Sequence, residues 1–195
     1  MQHMTSTVGG VRRFSLVRVP EVIFNFRDSN SDTGGLSAVF GQAPPPHGES
    51  YFHHPAGRYC DGRLIIDFIA KSFGLPYLSA YLDSVGSNFT HGANFATAGS
   101  TIRPHNSTLH QSVFSPISLD VQWNEFYDFH RRSQIIRGQG GVYKNLLPAA
   151  EDFSHALYTF DIGQNDLTSG YFSNMTSSEV KAYVPDVLDY VHACS

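Results

Sequence analysis

Cysteines, long apolar runs and positive charge are all scarce in this chain of 195 residues. Its two cysteines, Cys60 and Cys194, exclude a disulfide framework and allow one bridge at most. No stretch approaches the roughly 20 apolar residues that a transmembrane helix needs. Charged residues make up 15% of the chain and the formal net charge is -4. The sequence therefore gives no indication of a nucleic-acid-binding surface.

Residues 1–20 also lack the pattern of a secretory signal peptide. Arg12 and Arg13 are not followed by a sustained apolar segment. Three glycosylation sequons indicate the opposite, a history in the secretory pathway, and they begin at Asn88, Asn106 and Asn174. The two signals conflict, so an intracellular and an extracellular location both stay open.

The composition is that of a folded domain. Hydrophobic residues make up 41% of the chain, with 15 Phe and 10 Tyr. A chain of this length can enclose a sizeable core as a single domain. We therefore expect residues 1–20 to form an N-terminal segment and residues 21–195 to form one domain.

Short apolar runs alternate with segments at helical spacing. Strands are predicted at residues 21–26, 92–99 and 155–163, and helices at 60–74, 118–138 and 176–195. Residues 41–59, which contain "APPPHG", are predicted to be a loop. This alternation favours an α/β architecture with a mostly parallel sheet.

Two of the predicted helices carry detailed signals. Asp61 is predicted to cap the first helix and Gly74 to end it. The apolar face of that helix is predicted to consist of Leu64, Ile65, Phe68 and Ile69. In the last helix, Thr176 and Glu179 form a capping-box pattern, and Pro185 is predicted to kink the helix.

Each predicted strand ends in small polar residues. We call these segments the strand-end turns; they are "DSNSDTGG" (28–35), "TAGS" (97–100) and "GQND" (163–166). In parallel sheets, active sites lie beyond the carboxyl ends of the strands. There Ser29 could attack a carbonyl, and the N–H groups of Ser29 and Gly99 and the amide of Asn165 could stabilise the oxyanion. Each residue taken singly also fits an ordinary turn or cap role.

The histidines do not form a metal-site pattern. His53 and His54 are adjacent, without acidic or cysteine partners at the spacing of metal ligands. The others considered fall mainly in loop-like segments, and they are His47, His91, His105 and His110. We expect neither a metal nor a cofactor.

Four segments, in this order, resemble the blocks of the plant GDSL-type esterase/lipase family of the SGNH hydrolase superfamily. They are "FNFRDSNSDTGG", "GRYCDGRLIIDFIAKSFGLPYLSAYL", "GANFATAGSTI" and "FDIGQNDLTSGYF". The resemblance extends from about Glu21 to about Tyr190 and implies a three-layer α/β/α, flavodoxin-like fold. It implies hydrolysis of carboxylic esters without metal or cofactor, by a protein of a secreted family. Lipid, acylated-carbohydrate and small-molecule esters are all compatible with it.

The resemblance also implies roles for single residues. Ser29 matches the nucleophile, Gly99 the oxyanion glycine and Asn165 the oxyanion asparagine. Asp32 matches a family position near the nucleophile, for which we expect a role in turn structure.

Two departures from the family pattern stand out. Arg27 replaces the glycine that precedes Asp-Ser in the family. If the position needs a positive φ or close packing, the arginine would destabilise the turn by about 1–2 kcal/mol or more. The family's Asp-x-x-His pair comes far downstream, and this chain ends before that block. Asp189 and His192 have the same spacing, but they fall on a predicted helix, so we do not expect them to be that pair.

Two classes of function therefore stay open. The first is a GDSL-type ester hydrolase. The second is a truncated, catalytically inactive family member that acts as a binding or interaction protein, or is a non-functional product. Without the family's later strands, an apolar sheet edge and helix face would be exposed, so self-association is expected as well.

Overall fold

The computed structural model describes residues 19–104 and 115–194, and its strands and helices alternate as predicted. The strands are β1 Ile23–Arg27, β2 Gly92–Asn94 and β3 Leu157–Asp161. The helices are α1 Gly35–Phe40, α2 Glu49–Phe52, α3 Ile65–Ser72, α4 Leu119–Arg137, α5 Ala150–His155, α6 Gln164–Phe172 and α7 Ser177–Cys194. Two short 3-10 turns span Ser29–Ser31 and Gly141–Asn145.

The three strands form one parallel sheet in the order β2-β1-β3. Ile23 of β1 lies opposite Gly92 of β2 and Leu157 of β3, and Arg27 lies opposite Asp161. Because all three strands are parallel, their carboxyl ends meet at the same edge of the sheet. The predicted strand at 92–99 is longer than β2, although the N–H groups of Phe95 and Thr97 still donate to the β1 carbonyls of Asn25 and Arg27, at 2.9 and 3.3 Å.

Side chains of β1 alternate between two layers of helices. Phe24 and Phe26 belong to one core cluster, together with Phe126 and Phe129 of α4 and Val187 of α7. Ile23 belongs to a second cluster with residues of α3, which are Leu64 at its N-cap, Ile66 and Ala70. Helices therefore cover both faces of the sheet, which confirms the three-layer α/β/α architecture.

The buried face of α3 agrees with the prediction at Leu64 and Ile69, which belong to or pack against the core, and differs from it at Ile65 and Phe68. Ile65 and Phe68 are about half exposed, whereas Ile66, Asp67 and Ala70 are buried. The physical reason is an ion pair: Asp67 accepts two hydrogen bonds from the Arg58 guanidinium, at 2.8 and 2.9 Å. The pair is buried, with the Arg58 guanidinium over the rings of Phe52 and Tyr77, so a charged residue takes up part of the buried face of α3 while Ile65 and Phe68 stay exposed.

The cap of α3 was also predicted wrongly, although its end was not. Asp67, and not Asp61, accepts a hydrogen bond from the first free N–H of the helix, that of Leu64, at 3.0 Å. Gly74 follows the last turn with φ +73, and its N–H donates to the carbonyl of Lys71 at 3.0 Å. A glycine suits this left-handed conformation because it has no Cβ.

The described chain is more helical than predicted, both after β3 and within the predicted loop at 41–59. The polar residues after β3 begin α6 and do not form a free turn, and α2 lies inside the predicted loop at 41–59. The capping box of α7 is confirmed: Glu179 accepts from the N–H of Thr176 at 2.7 Å, and the Thr176 hydroxyl accepts from the N–H of Glu179 at 3.3 Å. Among the described residues, no helix is long and apolar enough to cross a membrane.

Candidate active site

Ser29 lies just beyond the carboxyl end of the central strand β1. Asp28 caps the following 3-10 turn, because its carboxylate accepts a hydrogen bond from the N–H of Asn30 at 3.0 Å. Asp28 is buried, and this burial raises the pKa of its carboxyl. Ser29 itself is half-buried, and no described residue hydrogen-bonds to its hydroxyl or its N–H. Both groups can therefore interact with a substrate.

Asp32 joins the first strand-end turn to the second. Its carboxylate accepts hydrogen bonds from the N–H groups of Gly34 at 2.8 Å and Gly35 at 2.6 Å. It also accepts from Leu36 at 3.1 Å and from Ala98, the residue before Gly99, at 2.7 Å. The sequence predicted a role in turn structure; the bond to Ala98 shows that Asp32 also fixes the distance between two turns.

Gly99 adopts a left-handed conformation with φ +81. Its carbonyl accepts a hydrogen bond from the N–H of Ser115 at 3.1 Å, whereas within the described ranges its own N–H has no acceptor. A side chain at this φ would be strained, so the turn favours glycine. The free N–H is of the kind that can stabilise an oxyanion.

The third strand-end turn is tied to the second by two neighbouring residues at the start of α6. Asn165 donates a side-chain hydrogen bond to the carbonyl of Ser100 at 2.8 Å. Asp166 accepts from the N–H groups of Ile102 at 2.8 Å and Arg103 at 3.1 Å. The Asn165 amide carries a second N–H, which can donate to a ligand. The structure thus brings together the turns that carry Ser29, Gly99 and Asn165.

A buried polar network beneath the first turn was not predicted. Asn25 of β1 donates to Asn94 of β2 at 2.6 Å, and Thr159 of β3 donates to Asn25 at 2.6 Å. Asn94 in turn donates to the carbonyl of Ser31 at 2.6 Å and to the hydroxyl of Thr33 at 2.8 Å. This network connects all three strands to the turn of Ser29. Its sequence signal was a single asparagine inside each of two apolar runs.

The expected strain at Arg27 is absent. Arg27 is the last residue of β1, and it is not among the described residues with positive φ. Its guanidinium lies 3.2 Å from the Asp161 carboxylate and donates to the hydroxyl of Ser31 at 3.3 Å. The charge next to the nucleophile turn is therefore paired. The remaining energetic cost of Arg27 is its buried Nε, which has no hydrogen-bond partner among the described residues.

Asp189 and His192 both lie on α7, as predicted for ordinary helix residues. Asp189 is exposed, and the side chain of His192 lies outside the described part of the chain. Among the described residues, no histidine or carboxylate hydrogen-bonds to the Ser29 hydroxyl. The described side chains therefore do not identify the base.

Within residues 19–104 and 115–194, no group of three or more His, Cys, Asp or Glu side chains could hold a metal ion. His53 and His54 are both exposed, and the His54 ring contacts the carbonyl of Pro55 at 2.9 Å. His105, His110 and the sequon at Asn106 lie outside the described residues. The candidate site is thus built from hydroxyl, amide and carboxylate groups.

Comparison with known proteins identifies relatives across most of the chain. A family model described as GDSL-like Lipase/Acylhydrolase matches residues 23–193. A protein of Arabidopsis thaliana named alpha-L-fucosidase 3 is 72% identical over 166 residues, which are 85% of this chain and 45% of that protein. A GDSL esterase/lipase of the same plant is 71% identical over 167 residues, 86% of this chain and 44% of that protein. A GDSL esterase/lipase of Zea mays is 66% identical over 168 residues, 86% of this chain and 42% of that protein.

The chain thus spans less than half the length of these curated relatives. The family model nevertheless includes all three strand-end turns and all of the helices α1 to α7, apart from Cys194 at the end of α7. This chain belongs to the GDSL-like lipase/acylhydrolase family.

Proposed function

We propose that the protein is a GDSL-type carboxylic ester hydrolase with Ser29 as its nucleophile. The observation that best supports this is the meeting of three strand-end turns, held by Asp32, Asn165 and Asp166. Relatives named as GDSL esterases/lipases favour ester hydrolysis over the non-catalytic alternative.

In the proposed reaction, the Ser29 hydroxyl attacks the ester carbonyl while its proton passes to a base. The N–H groups of Ser29 and Gly99 and the amide of Asn165 donate hydrogen bonds to the oxyanion that forms. The alcohol leaves, and water then attacks the acyl-enzyme to release the carboxylic acid. No step of this reaction requires a metal or a cofactor.

We propose a small-molecule, lipid or acylated-carbohydrate ester as the substrate. The names of most relatives support an ester in general, without identifying the acid or the alcohol. One relative is named as a fucosidase, which suggests a fucoside as the competing substrate. A fucoside therefore has to be tested beside the esters.

Turnover of p-nitrophenyl acetate and butyrate by the purified chain tests the role of Ser29. We expect Ser29→Ala to remove turnover above background and Asn165→Ala to lower kcat by about 10²–10³-fold. Ser72→Ala is the matched control, because the Ser72 hydroxyl donates only to the carbonyl of Ile69, in α3. Equal turnover by Ser29→Ala and the wild type would contradict the proposal.

Two further assays separate the alternatives. Turnover that disappears in a folded His192→Ala variant would identify His192 as the base, against our expectation for a helix residue. Hydrolysis of p-nitrophenyl α-L-fucoside, and not of the esters, would replace the ester proposal. A folded wild-type chain with no turnover at all would favour the binding-protein alternative.

We also propose that residues 21–195 act as one partial hydrolase domain after the N-terminal segment 1–20, in a secreted glycoprotein. Asn88 and Asn174 are exposed, which supports glycans at both positions. The protein expressed in plant cells should gain mobility on a gel after treatment with peptide-N-glycosidase. A smaller shift in Asn88→Gln than in the wild type would assign one glycan, and no shift in the wild type would contradict the proposal.

We propose, finally, that the chain self-associates through exposed apolar residues near β3. Within the described ranges β3 pairs only with β1, so its other edge is open. Exposed large apolar side chains on β3, α6 and α7 include Tyr158, Phe160, Leu167, Tyr171, Leu188 and Tyr190. Such edges and patches favour association with another copy.

A further inference from the structure

A cavity of about 380 Å³ lies beside α4, apart from the strand-end turns. Its volume falls in the range typical of pockets for small ligands. Its lining includes Tyr81, Phe89, Phe129, Arg132, Ile136 and Leu147. None of them belongs to the turns that carry Ser29, Gly99 or Asn165, so a ligand there would occupy a second site.

The apolar wall of this cavity is fixed by the surrounding fold. Phe89 and Phe129 are buried members of the main core, and their rings lie 5.6 Å apart in an edge-on arrangement. The N–H of Phe89 donates to the carbonyl of Leu146 at 2.9 Å. The Arg137 guanidinium donates to the carbonyl of Leu147 at 2.8 Å. A wall held in this way is already formed before a ligand binds.

The cavity also has one exposed cationic residue, Arg132, without a partner in the part of the chain that the structure describes. Arg132 makes no ion pair or hydrogen bond with any described residue, whereas its neighbour Arg131 lies 3.4 Å from Asp128. The charge of Arg132 acts on Tyr81, which lines the same cavity. Burial is the main cause that raises the pKa of Tyr81, so its phenol stays protonated and can donate a hydrogen bond.

Two carboxylates also act on Tyr81, and neither lines the cavity. Asp128 is paired with Arg131, and burial raises the pKa of Glu125 to about 7, which reduces its negative charge near neutral pH. The cavity is thus an apolar space with a cation and a phenol, and with little negative charge to oppose an anion.

We propose that this cavity binds a medium-chain fatty acid, with its carboxylate on Arg132 and Tyr81 and its alkyl chain along Phe89, Phe129 and Leu147. A guanidinium and a carboxylate form strong paired hydrogen bonds. An alkyl chain of about ten carbons suits a cavity of this size and apolar lining. Binding needs no catalysis, so the outcome of the ester-hydrolysis assays does not affect this inference.

Isothermal titration calorimetry of decanoate into the purified 195-residue chain tests the proposal. We expect saturable binding of decanoate, and much weaker binding of decanol and of decyltrimethylammonium. Arg132→Gln should weaken decanoate binding about tenfold or more. Arg131→Gln is the matched control, because it makes the same change of charge at the adjacent position outside the cavity; since it also frees Asp128 from its ion pair, we expect some weakening, but far less than in Arg132→Gln.

A second variant fills the space itself. Ile136→Trp should abolish decanoate binding while the circular dichroism spectrum stays that of the wild type, and Ser29→Ala should bind as the wild type does. The proposal is overturned if the wild type takes up no decanoate. It is also overturned if decanol binds as tightly as decanoate, or if Arg132→Gln and Arg131→Gln weaken binding equally.

Discussion

Asp32 accepts four backbone hydrogen bonds while its carboxylate is fully buried. Burial raises the pKa of this carboxyl, and the four N–H donors act in the opposite direction by stabilising the ionised form. Loss of the carboxylate would leave buried donors unsatisfied in two turns at once. One side chain thus connects the conformation of the Ser29 turn to that of the Gly99 turn.

Glu125 shows the opposite case, a buried carboxylate oxygen for which residues 19–104 and 115–194 supply no hydrogen-bond donor. Burial raises its pKa from 4.5 to about 7. Between these pH values the folded chain retains a proton that the unfolded chain releases, so the free energy of unfolding decreases as the pH rises. Glu125→Gln removes the titrating group and with it this decrease in the free energy of unfolding. We expect it to stabilise the chain by about 1–2 kcal/mol at pH 8, after allowance for solvent screening.

Urea unfolding at acid and alkaline pH measures this effect. Near pH 4 the carboxyl is protonated in both states, so Glu125→Gln should unfold as the wild type does. Glu151→Gln, a change at an exposed position of α5, serves as the control and should have little effect at either pH. A gain in stability for Glu125→Gln that is the same at both pH values would contradict the titration argument.

At the scale of the elements, α3 offers a direct comparison between a predicted and an observed cap. Asp67→Ala removes the partner of Arg58 and the acceptor for the N–H of Leu64. Because this leaves a buried arginine unpaired, we expect a loss of about 3–5 kcal/mol in the free energy of unfolding. Asp61→Ala should change it by less than about 0.5 kcal/mol. Chemical denaturation of both variants decides which aspartate stabilises the helix.

The same helix shows why the local sequence pattern predicted the position of a helix better than it predicted which of its residues are buried. Apolar spacing identified the helix, but Ile65 and Phe68 could be assigned to the core only by ignoring Asp67. The partner of Asp67 lies nine residues away in an irregular segment, so no helical periodicity reveals it. Similarly, the residues "GQND" are typical of a loop turn, and the local pattern did not distinguish a loop turn from the beginning of helix α6.

At the scale of the whole molecule, the order of strands and helices was sufficient to predict a parallel α/β sheet covered on both faces. It also predicted that Ser29, Gly99 and Asn165 lie on turns that meet at one edge. The bonds that join those turns could not be predicted from the residues alone. Asp32 to Ala98 and Asp166 to Ile102 span more than 60 positions, and each aspartate also fits a local turn role.

The open edge of β3 and the apolar residues around it lead to a prediction about assembly. Leu188 on α7 is 52% exposed, so Leu188→Lys should be tolerated by the fold while it places a charge on the proposed contact between two copies. We expect the wild type to form dimers or larger species in sedimentation velocity as its concentration rises. Leu188→Lys should weaken this association about tenfold. Val85→Lys, at a residue that is 97% exposed outside this surface, should leave it unchanged. A wild type that stays monomeric at every concentration, or equal weakening by both lysines, would contradict association through this surface.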